Sequence, residues 1–192
     1  MADDLRTLVG AATRGEPGAL DALVVSNLPR LHAFVRLRMG PRMRAREGSI
    51  DIVQSICREV LEDLPGLEYR GETEFLRWLF TTALNKLRER GRYHARERRD
   101  PDRECAIDAS SLTGYATLIT PSREAIGYED IEKLEAAFDR LPDDYVDVIT
   151  LSRIVGLSHR EIAGHLGRSE GATRTLLGRA LAKLGQELHG SS

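Results

Sequence analysis

Residues 157–184 read LSHREIAGHLGRSEGATRTLLGRALAKL, and their caps, breakers and apolar positions decide the fold of the C-terminal part of the chain. Ser158 followed by Glu161 has the spacing of a capping box, so a helix opens here with Ile162, Ala163 and Leu166 facing inward. Gly167 suits the left-handed residue that ends a helix. Ser169 then caps a second helix, whose first residue, Glu170, sits at the positive end of the helix dipole. Two helices joined by so short a glycine-containing turn form a helix-turn-helix. The second helix buries Thr173, Leu177, Ala180 or Leu181, and Leu184. Gly171, Arg174, Thr175 and Gly178 then lie on the opposite face, at 100° per residue. Small residues and one arginine on that face allow entry into a DNA major groove, with Ser169 at the leading end. Arg168, Arg179 and Lys183 are placed to meet phosphates beside it. The competing reading is an ordinary helical hairpin.

The same stretch contains a decoy. Gly167-Arg168-Ser169-Glu170-Gly171 matches G-x-S-x-G, but a nucleophile elbow needs a preceding β-strand, and a capped helix precedes it here. No convergent catalytic set, phosphate loop or metal-ligand spacing occurs elsewhere, so neither enzyme chemistry nor a cofactor or metal is expected. His159 and His165 are six residues apart and share no helix face; with His32, His94 and His189 they are read as surface or interface residues.

Outward from this stretch, helical periodicity recurs and nothing reads as a strand. Leu5, Leu8, Val9 and Ala12 mark a first short helix, stopped at Gly15–Gly18. A second helix is predicted from about Ala19 to Met39, kinked at Pro29. Ser49 or Asp51 caps a third, reaching about Leu64. Thr73 caps a fourth, whose stripe of Leu76, Leu79, Phe80, Ala83 and Leu87 continues into a basic run ending at Arg99. From 100 to 128 the pattern dissolves among prolines, serines and glycines, which reads as a flexible linker. Beyond it, a helix carries Ile131, Leu134 and Phe138, and another runs from Leu141-Pro142 to about Val155. The expected fold is all-α, with two small helical domains, 1–99 and 129–192, joined by the linker.

The 192 residues carry 28 basic and 30 acidic side chains, and this near balance hides strong patterning. Residues 86–99 hold seven basic and two acidic residues, 129–147 hold eight acidic and two basic, and 153–183 hold six basic and two acidic. Alternating patches of this strength point to a polyanion partner. The acidic stretch near Asp143 and Asp144 repels DNA and is expected to face protein. No segment approaches the ~18 apolar residues of a membrane span, and the acidic N-terminus lacks a signal-peptide layout. Cys57 and Cys105 read as free thiols, so a cytoplasmic setting is expected.

In the fourth helix Phe75 and Trp78 precede the Lys/Arg run. Aromatics interleaved with cations suit unpaired bases, although Phe75 reads better as core; Trp78 fits either role. These residues complete a resemblance. Asp51-Ile52-Val53-Gln54, then Phe75-Leu76-x-Trp78-Leu79 with Ala83-Leu84-Asn85-Lys86-Leu87, then Leu141-Pro142 with Glu161-Ile162-Ala163, Leu166-Gly167 and Ser169-Glu170-Gly171 resemble, in this order, a sigma factor of the extracytoplasmic-function type, the minimal group with regions two and four only. The resemblance implies that Asp51, Gln54, Ser55 and Arg58 bind core RNA polymerase at its β′ clamp. It implies that Trp78, Asn85, Lys86, Arg88, Arg92, Arg96, Arg98 and Arg99 engage the minus-ten element, and that the helix-turn-helix reads the minus-thirty-five duplex beside the β flap. It also leaves room for an anti-sigma partner. The chain departs from the usual family residues at Ser55, Cys57, Ala172 and Leu176. The alternative is a stand-alone helix-turn-helix regulator with an N-terminal sensing or dimerisation domain.

Overall fold

A computed structural model describes residues 2–96, 115 and 128–190, and among them every regular element is helical. The first six helices are α1 (Ala2–Thr13), α2 (Ala19–Ser26), α3 (Leu28–Arg38), α4 (Pro41–Arg44), α5 (Ser49–Asp63) and α6 (Glu72–Arg96). Four more follow: α7 (Tyr128–Asp139), α8 (Asp143–Thr150), α9 (His159–Leu166) and α10 (Glu170–His189). A widened helical turn, Leu151–Val155, extends α8.

The predicted second helix is two helices. Asn27 ends α2, its side-chain amide donating to the Leu23 carbonyl at 2.8 Å. Pro29 therefore falls in the first turn of α3, where its missing N–H costs nothing, and no kinked helix results. Two capping expectations also change. Gly48 precedes α5 without a side-chain cap, because the Ser49 hydroxyl is buried and shares a 2.7 Å hydrogen bond with His32 Nε2. Helix α6 starts at Glu72, one residue before Thr73, directly after Gly71, whose φ of 114° suits glycine. His32 is thus a buried, hydrogen-bonded core residue rather than a surface one, and half-buried His94 bonds Glu47 at 2.9 Å.

Helix α3 is the hub. Residues 31–37 are all buried, since α5 and α6 pack on one side while α7, α8 and the Leu151–Val155 turn pack on the other. Phe34 meets Phe80 edge-to-face at 5.0 Å, with Ile52, Ile56, Val60 and Leu79 completing the N-terminal core. Ile131, Leu134, Phe138, Ile149, Ile154, Ile162 and Leu177 form the C-terminal core, continuous with the first.

Three arginines of the N-terminal helices cross this seam. Arg36 forks onto Glu135 of α7 at 2.5 and 2.7 Å, with both side chains buried. Tyr115, from the 100–128 segment, is buried as well and donates its hydroxyl to Glu135 at 2.8 Å. Arg38 pairs with Asp147 and donates to Thr150, while its guanidinium lies 5.0 Å from the Phe34 ring centre. Arg44 pairs with Asp139. Burial disfavours the Arg36 cation most, but the hydrogen bonds and charge of Glu135, together with Tyr115, outweigh it and hold that guanidinium above its usual range. Burial, followed by the charge of Glu135, pushes the Tyr115 phenol well up, so it remains a donor.

Removing one member of a buried pair leaves its partner charged and unpaired, at a cost of ~3–5 kcal/mol. Glu135→Ala should therefore lower the unfolding free energy by about that amount in urea titrations. Tyr115→Phe, which removes one hydrogen bond to a charged acceptor, should lower it by ~1.5–3 kcal/mol.

Candidate nucleic-acid interface

The helix-turn-helix forms as its local chemistry dictates. The Ser158 amide donates to Glu161 Oε2 at 2.7 Å, and the Glu161 amide donates back to the Ser158 hydroxyl at 3.3 Å. Gly167 adopts φ 65° and ends α9, and the Arg168 amide closes onto the Ala163 carbonyl at 2.9 Å. The Ser169 hydroxyl accepts from the Ala172 amide at 3.2 Å and so caps α10. Thr173, Leu177, Ala180 and Leu184 are buried, and Leu181 is half-buried. Gly171, Arg174, Thr175, Gly178 and Arg179 are exposed, as the periodicity requires.

The glycines of α10 carry a further signal. A methyl group added at Gly171 or Gly178 would meet nothing within 4 Å. The fold has no steric need for glycine there, yet each costs ~1 kcal/mol of helix propensity relative to alanine. A surface kept low at that expense suits close approach by an outside body.

Not every cation in this unit is free. Arg168 pairs with Asp144 of α8, tying the turn to the acidic helix, and Arg174 pairs with Glu170 at 3.2 Å. Lys183 bonds Glu187 at 2.7 Å and, with Arg140, holds that carboxyl below its ordinary range. The Arg168–Asp144 and Arg174–Glu170 pairs are exposed and worth ~0–1 kcal/mol each, so a phosphate can displace them. Arg179 makes no ion pair among the described residues.

On α6, Trp78, Asn85 and Arg92 recur every seven residues and share one face, with neighbours ~10 Å apart along the axis. Trp78 is half-buried, its ring 5.9 Å from that of Phe75, which is core as expected. Asn85, Arg88 and Arg92 are exposed, and the two arginines make no ion pair among the described residues. Lys86 differs: it meets Glu59 at 2.9 Å and Glu89 at 3.0 Å, hydrogen bonds that hold its ammonium above the usual lysine range. Arg96 ends the helix, and Arg98 and Arg99 lie outside the described residues.

Sequence reasoning missed a cavity beside Trp78. The loop after α5 folds back so that Gly66, Leu67, Glu68, Tyr69 and Arg70, with Glu74, Phe75 and Trp78, line a half-open space of about 380 Å³. The Tyr69 hydroxyl is buried there and finds no hydrogen-bond partner among the described residues, while burial pushes its phenol up. Tyr69 beside Arg70 was a faint sequence signal, but the cavity exists only once the loop folds.

The polymerase-binding candidates lie together on α5. Asp51, Gln54 and Arg58 are exposed and Ser55 is half-buried. Ile50 and Leu61 are also exposed and flank them. Both fall off the Ile52, Ile56 and Val60 stripe that faces the core, which was the signal available for a second apolar edge. Cys57, between the two faces, is a free thiol whose pKa burial raises.

The capped helix-turn-helix and the long aromatic–cationic helix place two candidate nucleic-acid-binding surfaces on one helical chain. The family model for Sigma-70, region 4 matches residues 131–184. The chain is 27% identical over 184 residues to the ECF RNA polymerase sigma factor SigD of Mycobacterium tuberculosis (strain ATCC 25618 / H37Rv), covering 96% of this chain and 84% of that protein. It is 26% identical over 186 residues to the ECF RNA polymerase sigma-E factor of Haemophilus influenzae, covering 94% of each. Its fold is similar to that of CnrH, solved in complex with the cytosolic domain of CnrY, with a TM-score of 0.56, 24% identity, and coverage of 98% and 99% of the two chains. Residues 131–184 thus match Sigma-70 region 4, and over nearly its whole length the chain is similar to extracytoplasmic-function sigma factors of RNA polymerase.

Gly178→Ala should stabilise α10 by up to ~1 kcal/mol in thermal unfolding while weakening duplex binding, a divergence that separates contact from folding. Arg174→Ala should weaken duplex binding by ~1–3 kcal/mol, measured by fluorescence anisotropy.

Proposed function

We propose that residues 1–99 hold core RNA polymerase and open the minus-ten element, that 100–128 link the two domains, and that 129–192 read the minus-thirty-five duplex. The observation that carries this reading is the capped helix-turn-helix whose outer face is kept low by unneeded glycines around Arg174. Such a rigid helix suits intact duplex. Melting has a different requirement: unstacked bases must regain a few kcal/mol each through stacking and pockets. The cavity of Tyr69, Arg70 and Trp78 answers that requirement. Its volume lies in the range of small-ligand sites, so a flipped base fits; Arg70, Glu68 and the unpartnered Tyr69 hydroxyl offer polar contacts to a base edge. Asn85, Arg88 and Arg92 then track the single strand along α6.

On α5, Asp51, Gln54, Ser55 and Arg58, flanked by Ile50 and Leu61, form the face that meets the β′ clamp, and the C-terminal domain meets the β flap. Two modest DNA-binding surfaces held on one polymerase gain from effective concentration. The chain supplies recognition and strand capture in the cytoplasm, without a catalytic role of its own. The solved complex of CnrH with the cytosolic domain of CnrY supports a protein partner of anti-sigma type for this chain as well. No helix among the described residues is long and apolar enough to cross a membrane.

Run-off transcription with purified core polymerase on the gene's own upstream region tests the reading. Directional transcripts dependent on the added chain are expected; palindromic duplex binding that ignores polymerase would instead identify a stand-alone regulator. Trp78→Ala and Tyr69→Ala should each lower open-complex formation about tenfold, consistent with ~1–3 kcal/mol per stacked base, and leave polymerase affinity within about twofold, measured by permanganate footprinting and competition binding.

A further inference from the structure

The basic run of α6 divides into two stripes. Asn85, Arg88 and Arg92 share one side of the helix and are exposed. Lys86, Arg90 and His94 recur every four residues and lie on the other side. Each member of this second stripe meets a carboxylate on α5 or just ahead of it. Lys86 Nζ lies 2.9 Å from Glu59, Arg90 lies 3.5 Å from Glu47, and His94 bonds the same Glu47 at 2.9 Å. This is also the less exposed stripe, with 17% of the Lys86 side chain open to solvent.

Lys86 is the member that the resemblance assigns to the minus-ten element, and the charges around it oppose a phosphate contact. Glu89, one turn along α6, closes on the same ammonium at 3.0 Å. Two carboxylates around one cation leave one net negative charge, so a phosphate meets repulsion there and attraction at Arg88 and Arg92. Glu59 Oε2 is buried and has no other partner among the described residues. Drawing Lys86 away to DNA would strand that oxygen without a compensating donor. The place of the pair shows what it does instead. Glu59 adjoins Arg58 and stands one turn past Ser55, on the helix assigned above to polymerase. Lys86 adjoins Asn85, on the helix that tracks the strand. Ile52, Ile56 and Val60 already hold α5 in the core, but apolar contact is non-directional. A directed ion pair limits how far one helix slides and rolls on the other, and binding groups need to be held within ~0.5 Å.

We propose that Lys86 is a positioning residue rather than a DNA contact: paired with Glu59, and continued by Arg90 and His94 on Glu47, it sets the DNA-tracking face of α6 relative to the polymerase-binding face of α5. Lys86 in this role depends on the division of labour given above, in which α5 grips polymerase and α6 the strand. The two roles differ in sign. If Lys86 met a phosphate, neutralising Glu59 would free the ammonium and strengthen promoter binding. If Lys86 positions α6, the same change loosens the helix and weakens strand opening.

Holoenzyme assembled from core polymerase and the full chain tests this, with open complexes read by permanganate footprinting and promoter affinity by titration at several salt concentrations. The measurements are made at a temperature where circular dichroism shows the variants fully folded, so that lost stability alone would leave opening unmoved. Glu59→Gln should lower open-complex formation about threefold, the scale of a partly exposed ion pair. It should leave the slope of log affinity against log salt unchanged. Lys86→Met should do the same, and the double variant should be no worse than either single one, because both changes remove one interaction. Arg88→Ala, on the DNA side, should reduce the slope by about one. A Glu59→Gln holoenzyme that opens the promoter as well as the unaltered one or better, a reduced slope for Lys86→Met, or additive losses in the double variant would each overturn the positioning role. If Glu59→Gln does not fold, the slope of Lys86→Met decides. If the unaltered chain opens no promoter with core polymerase, the promoter reading itself falls, and the role of Lys86 falls with it.

Discussion

The buried fork between Arg36 and Glu135 is the constraint around which the other contacts arrange themselves. Two charges withdrawn from water each carry a penalty of several kcal/mol, tolerable only if their mutual geometry is good and the remaining hydrogen-bonding capacity is filled. Both conditions are met: the guanidinium fork is bidentate, and Tyr115 supplies a further donor to the carboxylate. This arrangement explains how α3, a helix with three arginines and a histidine, comes to lie buried from Leu31 to Leu37 at the centre of the chain. Its apolar residues serve both cores, and its cations find carboxylates on the C-terminal helices.

The same arrangement sorts the basic residues into two populations. Arg36, Arg38 and Arg44 face the acidic helices, and Arg46 and Arg90 brace the approach to α5 through the His94 carbonyl and Glu47. Arg88, Arg92, Arg174 and Arg179 stay exposed along α6 and α10. A net charge near zero is therefore not a sign of weak electrostatics. One set of cations is neutralised inside the protein, and the other remains for a polyanion outside it.

Local chemistry made the DNA-reading unit legible in advance. The capping box at Ser158, the left-handed Gly167, the Ser169 cap and the buried face of α10 involve residues no more than a few positions apart, where spacing maps directly onto geometry. Phe75 reads as core beside the stripe of Leu76, Leu79 and Phe80, and it is buried. Other features were not legible. Pro29 suggested a kink because the Asn27 side chain, which terminates α2, competes invisibly with helix continuation. His32 looked like a surface residue because its partner Ser49 lies 17 positions away. The Trp78 cavity depends on how the Gly66–Arg70 loop returns over α6, and no periodicity encodes that.

By itself, the amino-acid sequence determined most of the helices, the helix-turn-helix and the faces that carry aromatic and basic residues, because each depends on neighbours within one or two turns; the break at Asn27 and the short helix Pro41–Arg44 were not legible. Tertiary structure alone decided which charges are engaged. Arg36 and Glu135 are separated by 99 positions, and Arg38 and Asp147 by 109. Whether a cation is free for DNA depends on a distance of a few ångströms, and across so long a stretch of chain only the packing of α3 against α7 and α8 sets that distance.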